Sequence, residues 1–358
     1  MTDKRDIIVI GGGIIGASIA WHLVKAGAKV RLVAERPGGV ATPTSFAWIN
    51  ASWGNPEPYF RLRSRSMVEW SRLARDVPGV QLAWCGSLCW DLPRDELVTY
   101  AREHAEWGYD IREVTAEEAR TIEPSVREIP DLALHVREEG VAEPVAATLA
   151  LIESARQIGL EVLEGVTVTG LEERSGKLTA VLTASGRLAA DMVVIAAGAH
   201  TPSLAAQLGI DVPVETPPGL IVHSKPVPKM LNGLVIATEL HVRQTHEGRI
   251  IAGSDFGGTD PGGDPEGTAR DLFAKVKDSL HGGDKLEMEF HTVGYRPTPK
   301  DGFPILGDAR GIEGVYLAVT HSGVTLAPAI GGFAADEILT GEDEPLLAPY
   351  RLSRFGQT

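Results

Sequence analysis

Residues 7–23, IIVIGGGIIGASIAWHL, join a short apolar run to a glycine-rich turn and then to an apolar stretch with helical spacing. Ile7, Ile8, Val9 and Ile10 are β-branched, as suits a strand covered on both faces. Gly11, Gly13 and Gly16 then occupy the positions of G-x-G-x-x-G. In a dinucleotide-binding βαβ unit these glycines make the tight turn, admit a pyrophosphate to the backbone and let the helix pack on the strand. The helix N-terminus offers free N–H groups and partial positive charge to a diphosphate. Ile14, Ile15, Ile19, Leu23 and Val24 give that helix its apolar stripe, and Gly27 ends it. Glycine-rich turns also occur without a ligand, so the context decides. Residues 29–35, KVRLVAE, form a second strand ending at Glu35, near the ~20-residue spacing at which an acid reaches a ribose hydroxyl. The alternative for Glu35 is a solvated charge at a strand end. Strand, turn, helix, strand and acid in order predict an adenine dinucleotide, and a carboxylate at position 35 would repel the 2′-phosphate of NADP.

The chain has 358 residues, enough for two domains, with an apolar fraction of 43% and a charged fraction of 23%, as in ordinary globular proteins. Its net charge of −14 argues against nucleic acid or an anionic membrane surface as partner. Residues 1–6 lead straight into the first strand without a secretory core, and no segment approaches the ~18 uninterrupted apolar residues of a membrane span, so a cytoplasmic location is expected. Cys85 and Cys89 are the only cysteines. Four apart on one strand they would lie roughly 13 Å apart, too far for a disulfide. Buried thiols in a reducing compartment are expected, with a redox or metal role as the lesser alternative.

Residues 36–56, RPGGVATPTSFAWINASWGNP, show no clear period. A loop of this length is functional or disordered, and Phe46, Trp48 and Trp53 argue against disorder. Helices are expected over 57–75, 94–107 and 116–123, one or two strands over 80–90, and a helix opened by Pro144 followed by a strand. A hairpin-like set then leads to a buried strand, 192–195, ending in Ala196, Ala197 and Gly198. Strands dominate 212–299 around one helix at 266–280. The end returns to strand 314–319, turn 320–323 and helix 324–339. No internal repeat is visible.

The segments VIGGGIIGASIAWHLVKAGAKVRLVAE (9–35), MVVIAAGAHTPSL (192–204), VGYRPTPKDGFPILG (293–307) and VTHSGVTLAPAIGG (319–332) together resemble the family of FAD-dependent D-amino-acid, glycine and sarcosine oxidases. The likeness covers nearly the whole chain. It implies an α/β fold in which a Rossmann-type FAD-binding domain (1–76, 137–212, 302–358) interleaves with a smaller β-rich antiparallel substrate domain (77–136, 213–301). It implies that Gly11, Gly13, Ile14, Ile15 and Gly16 hold the FAD pyrophosphate, that Glu35 meets the ribose, and that Val166 and Val168 lie beside the adenine. Ala196, Ala197 and Gly198 would approach FAD, with His200 where many relatives carry tryptophan. Ser45 and Asn50 would be polar contacts of a loop running towards the ring. Ser322, Gly323, Val324, Thr325 and Leu326 would lie against the pyrimidine end, where backbone donors stabilise the negative charge of reduced flavin.

By the same resemblance, Arg296 clamps a substrate carboxylate, a task that suits a planar, permanently charged fork. A structural ion pair is its alternative. Tyr295, Arg243, His241 and His291 border the substrate or merely pack; His321 is catalytic or a polar helix cap; Phe46 and Trp48 wall the pocket or fill core. The reaction implied is hydride transfer from the amine-bearing carbon of a small amino acid or N-alkyl amino acid to flavin N5, giving an imine that water hydrolyses. Val293 stands where sarcosine oxidases carry the cysteine that bonds FAD, so non-covalent flavin is expected. Ile251 stands about where they use a lysine for reaction with oxygen, which leaves oxygen or an electron carrier as acceptor. Alternatives are an FAD-dependent 2-hydroxy acid dehydrogenase, the flavin subunit of a larger amine dehydrogenase, and an RNA-modifying flavoprotein, the last disfavoured by the acidic charge. A homo-oligomer stays open.

Overall fold

The strand Asp6–Ile10 alternates its side chains between two cores: Ile7 and Val9 face one, Ile8 and Ile10 the other, all at most 4% exposed. That burial on both faces explains the unbroken β-branched run. A computed structural model describes residues 5–52, 54–255, 257–309 and 311–356; the expectation for Trp53 lies outside the described residues.

Asp6–Ile10 lies at the middle of a six-stranded sheet. On one side it pairs in parallel with Lys29–Ala34, which pairs with Glu161–Glu164; on the other it pairs with Met192–Ile195, then Val315–Val319. The edge strand Ile305–Asp308 is antiparallel. The helix Ile14–Lys25 packs between Pro144–Gln157 and Gly323–Thr340 on one face. The meander Val168–Arg174, Lys177–Thr183 and Gly186–Ala189 covers the other. The long opening loop carries a short pair, Trp48–Ile49 with Gly140–Ala142.

A second, eight-stranded sheet runs in the order Met288–Tyr295, Pro218–Ser224, Ile250–Gly253, Leu240–Gln244, Leu234–Ala237, Ser87–Trp90, Leu132–Val136, Ile111–Thr115. All neighbours are antiparallel except Leu234–Ala237 with Ser87–Trp90, and the helix Pro265–Ser279 helps build its separate core. Helices Glu57–Asp76, Arg94–Glu106 and Ala116–Ile122 stand where the pattern placed them; Thr115 and Glu118 form a capping box at the last.

One local reading is corrected. Leu82–Ala83 and Ser87–Trp90 belong to different sheets, and Gly86, at φ +74°, turns the chain between them. Cys85 lies in that turn, so the single-strand spacing to Cys89 does not apply. Both are free thiols, and burial pushes Cys85 up to about 11 and Cys89 well above the usual thiol range.

Candidate cofactor and active site

Four parallel strands of the first sheet end at one cavity of about 1100 Å³. Gly11–Ile15 follow the first strand, Glu35 the second, residues 196–200 the strand Met192–Ile195, and residues 320–325 the strand Val315–Val319; all of these line the wall. Ligands of open parallel sheets bind at this carboxyl end. Phe46, Trp48, Ile221, Tyr295 and Arg296 also line the cavity.

Glu35 lies on the wall with residues 166–168, and Thr167 donates its hydroxyl to the Glu35 carboxylate. Gly11 has φ +118°, and a Cβ there would come within 2.3 Å of the Ala196 carbonyl oxygen, so only glycine lets the first and third strands' loops meet beneath the wall. The N-cap of the helix Ile14–Lys25 is Gly13, which brings no side chain, and the first turn holds no acid, so its N–H groups face the cavity without a built-in anion; Ile14 N donates to Thr42 Oγ1 at 3.2 Å. A cavity that brings together an acid, a bare helix N-terminus and a guanidinium fits an adenine dinucleotide.

The structure brings together at the cavity wall Gly11, Gly13, Ile14, Ile15, Glu35, Ser45, Asn50, Val168, Ala197, Gly198, Ser322, Gly323, Val324, Thr325, Tyr295, Arg296 and His321. It leaves others behind the wall. Gly16 packs the helix against Gly11, and Leu326 is fully buried. Arg243, 2% exposed, donates from Nε to the Phe46 carbonyl at 2.6 Å and from Nη1 to Glu143 at 3.1 Å, so its charge braces the wall from outside. His241 sits buried beside Asp91, 3.4 Å away. His291 lies on the strand Met288–Tyr295 outside the wall. Ile251 is buried in its sheet; the side chain at the cavity is that of Ile221.

Arg296 follows the strand Met288–Tyr295. Burial pushes its pKa below the usual arginine value, and the Asp255 carboxylate opposes that shift. His321 Nε2 donates to the Gly302 carbonyl at 2.7 Å, and its Nδ1 accepts from Ser322 Oγ at 3.3 Å. Burial, with the nearby charges of Arg63 and Arg296, lowers its pKa to about 4. The imidazole is therefore neutral above about pH 5. The unfolded chain takes up this proton near pH 6.5 and the folded one does not, so stability from this group is full above 6.5 and lost as pH falls towards 4. The melting-temperature advantage of the wild type over His321→Gln is expected to shrink as pH is lowered through that window.

The sequence reading missed Arg63. Its guanidinium, 5% exposed, donates to Asn50 O at 2.9 Å, Asn50 Oδ1 at 2.6 Å and Ser322 Oγ at 2.7 Å, tying the two loops at the cavity together. A signal was present: Arg63 falls on the buried stripe of Tyr59, Phe60, Leu62, Ser66, Met67 and Trp70, where a charge requires partners. Among the described residues no cluster of side chains is suited to a metal ion, and no helix is long and apolar enough to cross a membrane.

The fold and cavity define an enzyme of the dinucleotide-dependent oxidoreductase class. The pattern of the DAO family, described as FAD dependent oxidoreductase, matches residues 6–337, and the chain belongs to that family. FAD is accordingly its cofactor. It is 29% identical to a glycine oxidase of Bacillus licheniformis over 95% of this chain and 94% of that one. It is 27% identical to the hydrogen cyanide synthase subunit HcnC of Pseudomonas aeruginosa, over 99% and 97%. Among solved structures, L-proline dehydrogenase from P. horikoshii superimposes with a TM-score of 0.89 at 26% identity, covering 99% of each chain.

Proposed function

We propose that this FAD-dependent oxidoreductase oxidises the C–N bond of a small amino acid or N-alkyl amino acid. The observation that carries the reading is a half-buried guanidinium, Arg296, on a cavity wall shared with Phe46, Trp48 and Ile221. A fixed cation beside apolar surface suits a small molecule with one carboxylate and little else that is charged. The names of the relatives, a glycine oxidase and an L-proline dehydrogenase, support the same substrate class.

FAD, when bound, supplies the acceptor for two electrons and one hydrogen taken as hydride from the amine-bearing carbon. Gly11, Gly13 and the helix N-terminus would hold its diphosphate, Glu35 its ribose, and Ser322 to Thr325 its ring. Arg296 would grip the substrate carboxylate, and the apolar walls would exclude water and fix the C–H bond. His321, held by Ser322 and Gly302, is neutral and so supplies no acidic proton to an amine that must react unprotonated. The product is an imine, which water converts to an oxo acid and free amine. Neither cysteine lines the cavity, which supports non-covalent FAD. We assign the nucleotide to a domain of residues 1–76, 137–212 and 302–358, and the substrate to 77–136 and 213–301.

The test is an anaerobic screen of glycine, sarcosine, proline, D- and L-amino acids and 2-hydroxy acids for loss of the oxidised flavin colour, followed by air. Bleaching by an amino acid is expected; recovery in air identifies oxygen as acceptor, and its absence a carrier. Bleaching by 2-hydroxy acids alone overturns the reading. A second reading, the flavin subunit of a larger dehydrogenase, is favoured by the likeness to HcnC, which is named as a subunit; a stoichiometric second chain on purification from the native source would support it.

A further inference from the structure

We propose that Glu139 is a positioning residue whose buried carboxylate fixes the 46–52 segment of the cavity wall; the inference rests on that cavity being the active site. Glu139 is fully buried, and no cation pairs with it among the described residues. Four neutral donors point at it instead. Trp48 Nε1 lies 2.8 Å and Ser87 Oγ 2.5 Å from Oε2; Ser52 Oγ and Tyr109 OH each lie 2.7 Å from Oε1. Trp48 and Ser52 line the cavity, whereas Ser87 belongs to the eight-stranded sheet and Tyr109 precedes the strand Ile111–Thr115. The carboxylate thus joins the wall to the second sheet. Tyr109 OH also accepts from Ala51 N at 3.0 Å, which adds a backbone tie.

The segment needs such a hold. Ala47 has φ +61°, a left-handed backbone that a side chain disfavours and that persists only when neighbours impose it. Arg243 holds the Phe46 carbonyl, Thr325 Oγ1 donates to the Trp48 carbonyl at 3.0 Å, and Arg63 holds Asn50. Those ties fix backbone and the Asn50 amide; Glu139 fixes the indole N–H of Trp48 and the hydroxyl of Ser52, two further side chains at the wall.

Glutamine is the informative replacement. Indole N–H can only donate, so the single amide oxygen must stay with Trp48 and Ser87, and the NH₂ then faces Ser52 and Tyr109. Tyr109 must turn its hydroxyl to accept while already serving Ala51. Glu139→Gln is expected to fold and bind FAD, shift the visible spectrum of the bound flavin, and lower kcat roughly 10- to 100-fold with KM changed less, the cost of misplacing a wall by about an ångström. Tyr109→Phe is expected to reproduce the spectral shift, and the double variant to be no worse than the poorer single one. An unaltered spectrum and kcat in Glu139→Gln overturns the proposal, as does a loss explained entirely by reduced FAD occupancy or melting temperature. The spectrum needs no substrate. If amino acids fail to reduce the wild type while the shift is present, the reaction reading fails and the positioning role stands.

Discussion

Arg296→Ala protein is expected to retain its fold and FAD and to lose roughly 30- to 3,000-fold in kcat/KM towards a carboxylate-bearing substrate. Truncating one partner of a buried, hydrogen-bonded charge pair costs about 2–5 kcal/mol, and each 1.4 kcal/mol is about tenfold. The loss should fall on substrate recognition, because the wall proposed to hold the flavin comes from other strands, at residues 11–15 and 320–325. Arg296→Lys should recover only part of it, since an ammonium cannot reproduce the two-pronged grip. Comparing each variant on an amino acid and on the matching decarboxylated amine isolates the effect: the wild type prefers the acid, and the alanine variant should not. Unchanged kinetics would remove the clamp and leave Arg296 as a structural partner of Asp255.

Alanine at Gly16 and at Gly13 should fail in different ways. A Cβ at Gly16 would sit 2.0 Å from the Gly11 carbonyl oxygen, backbone against backbone, so helix and strand must separate. Gly16→Ala is expected to lower stability by about 3 kcal/mol through overpacking. Gly13 has ordinary φ of −77°, and a Cβ there meets nothing closer than Thr42 Oγ1 at 3.4 Å. Gly13→Ala should therefore leave the apoprotein's melting temperature intact. Gly13 lines the cavity where the proposed diphosphate would meet the backbone, so FAD affinity should fall by roughly tenfold or more, about 1.4 kcal/mol. Thermal melts of apoprotein and FAD titrations separate the two outcomes. Wild-type FAD binding by Gly13→Ala would place the diphosphate elsewhere.

The nucleotide half of the site was legible because it is local. Strand, glycine turn and helix follow one another within residues 6–25, and Glu35, residues 196–200 and residues 320–325 follow the ends of other parallel strands, where small residues or an acid mark the spot. The shape of the substrate half was less so, because it is built from distant pairs. Arg243 holds a carbonyl 197 residues away, and Arg63 a hydroxyl 259 residues away; neither spacing leaves a periodic trace. His241 and Arg243, two apart on one strand, share a face, yet which side of the sheet meets the cavity is settled by tertiary packing. Glu139 was invisible for the same reason: within 137–140, REEG, it looks like one more surface acid. The two-strand reading of 80–90 holds, and only the cysteine spacing drawn from a single strand fails, because a left-handed glycine at position 86 divides two strands whose apolar patterns join smoothly.

One comparison bears hardest on the proposal of a guanidinium-anchored amino acid in a flavin-lined chamber. The FAD-loaded wild type is mixed without oxygen with the amino acid that performs best in the screen, with its decarboxylated amine and with its 2-hydroxy counterpart, and the oxidised flavin colour is followed. Rapid bleaching by the amino acid, with little by the other two, is the expected result. Equal bleaching by the decarboxylated amine, or bleaching by the 2-hydroxy acid alone, would contradict it.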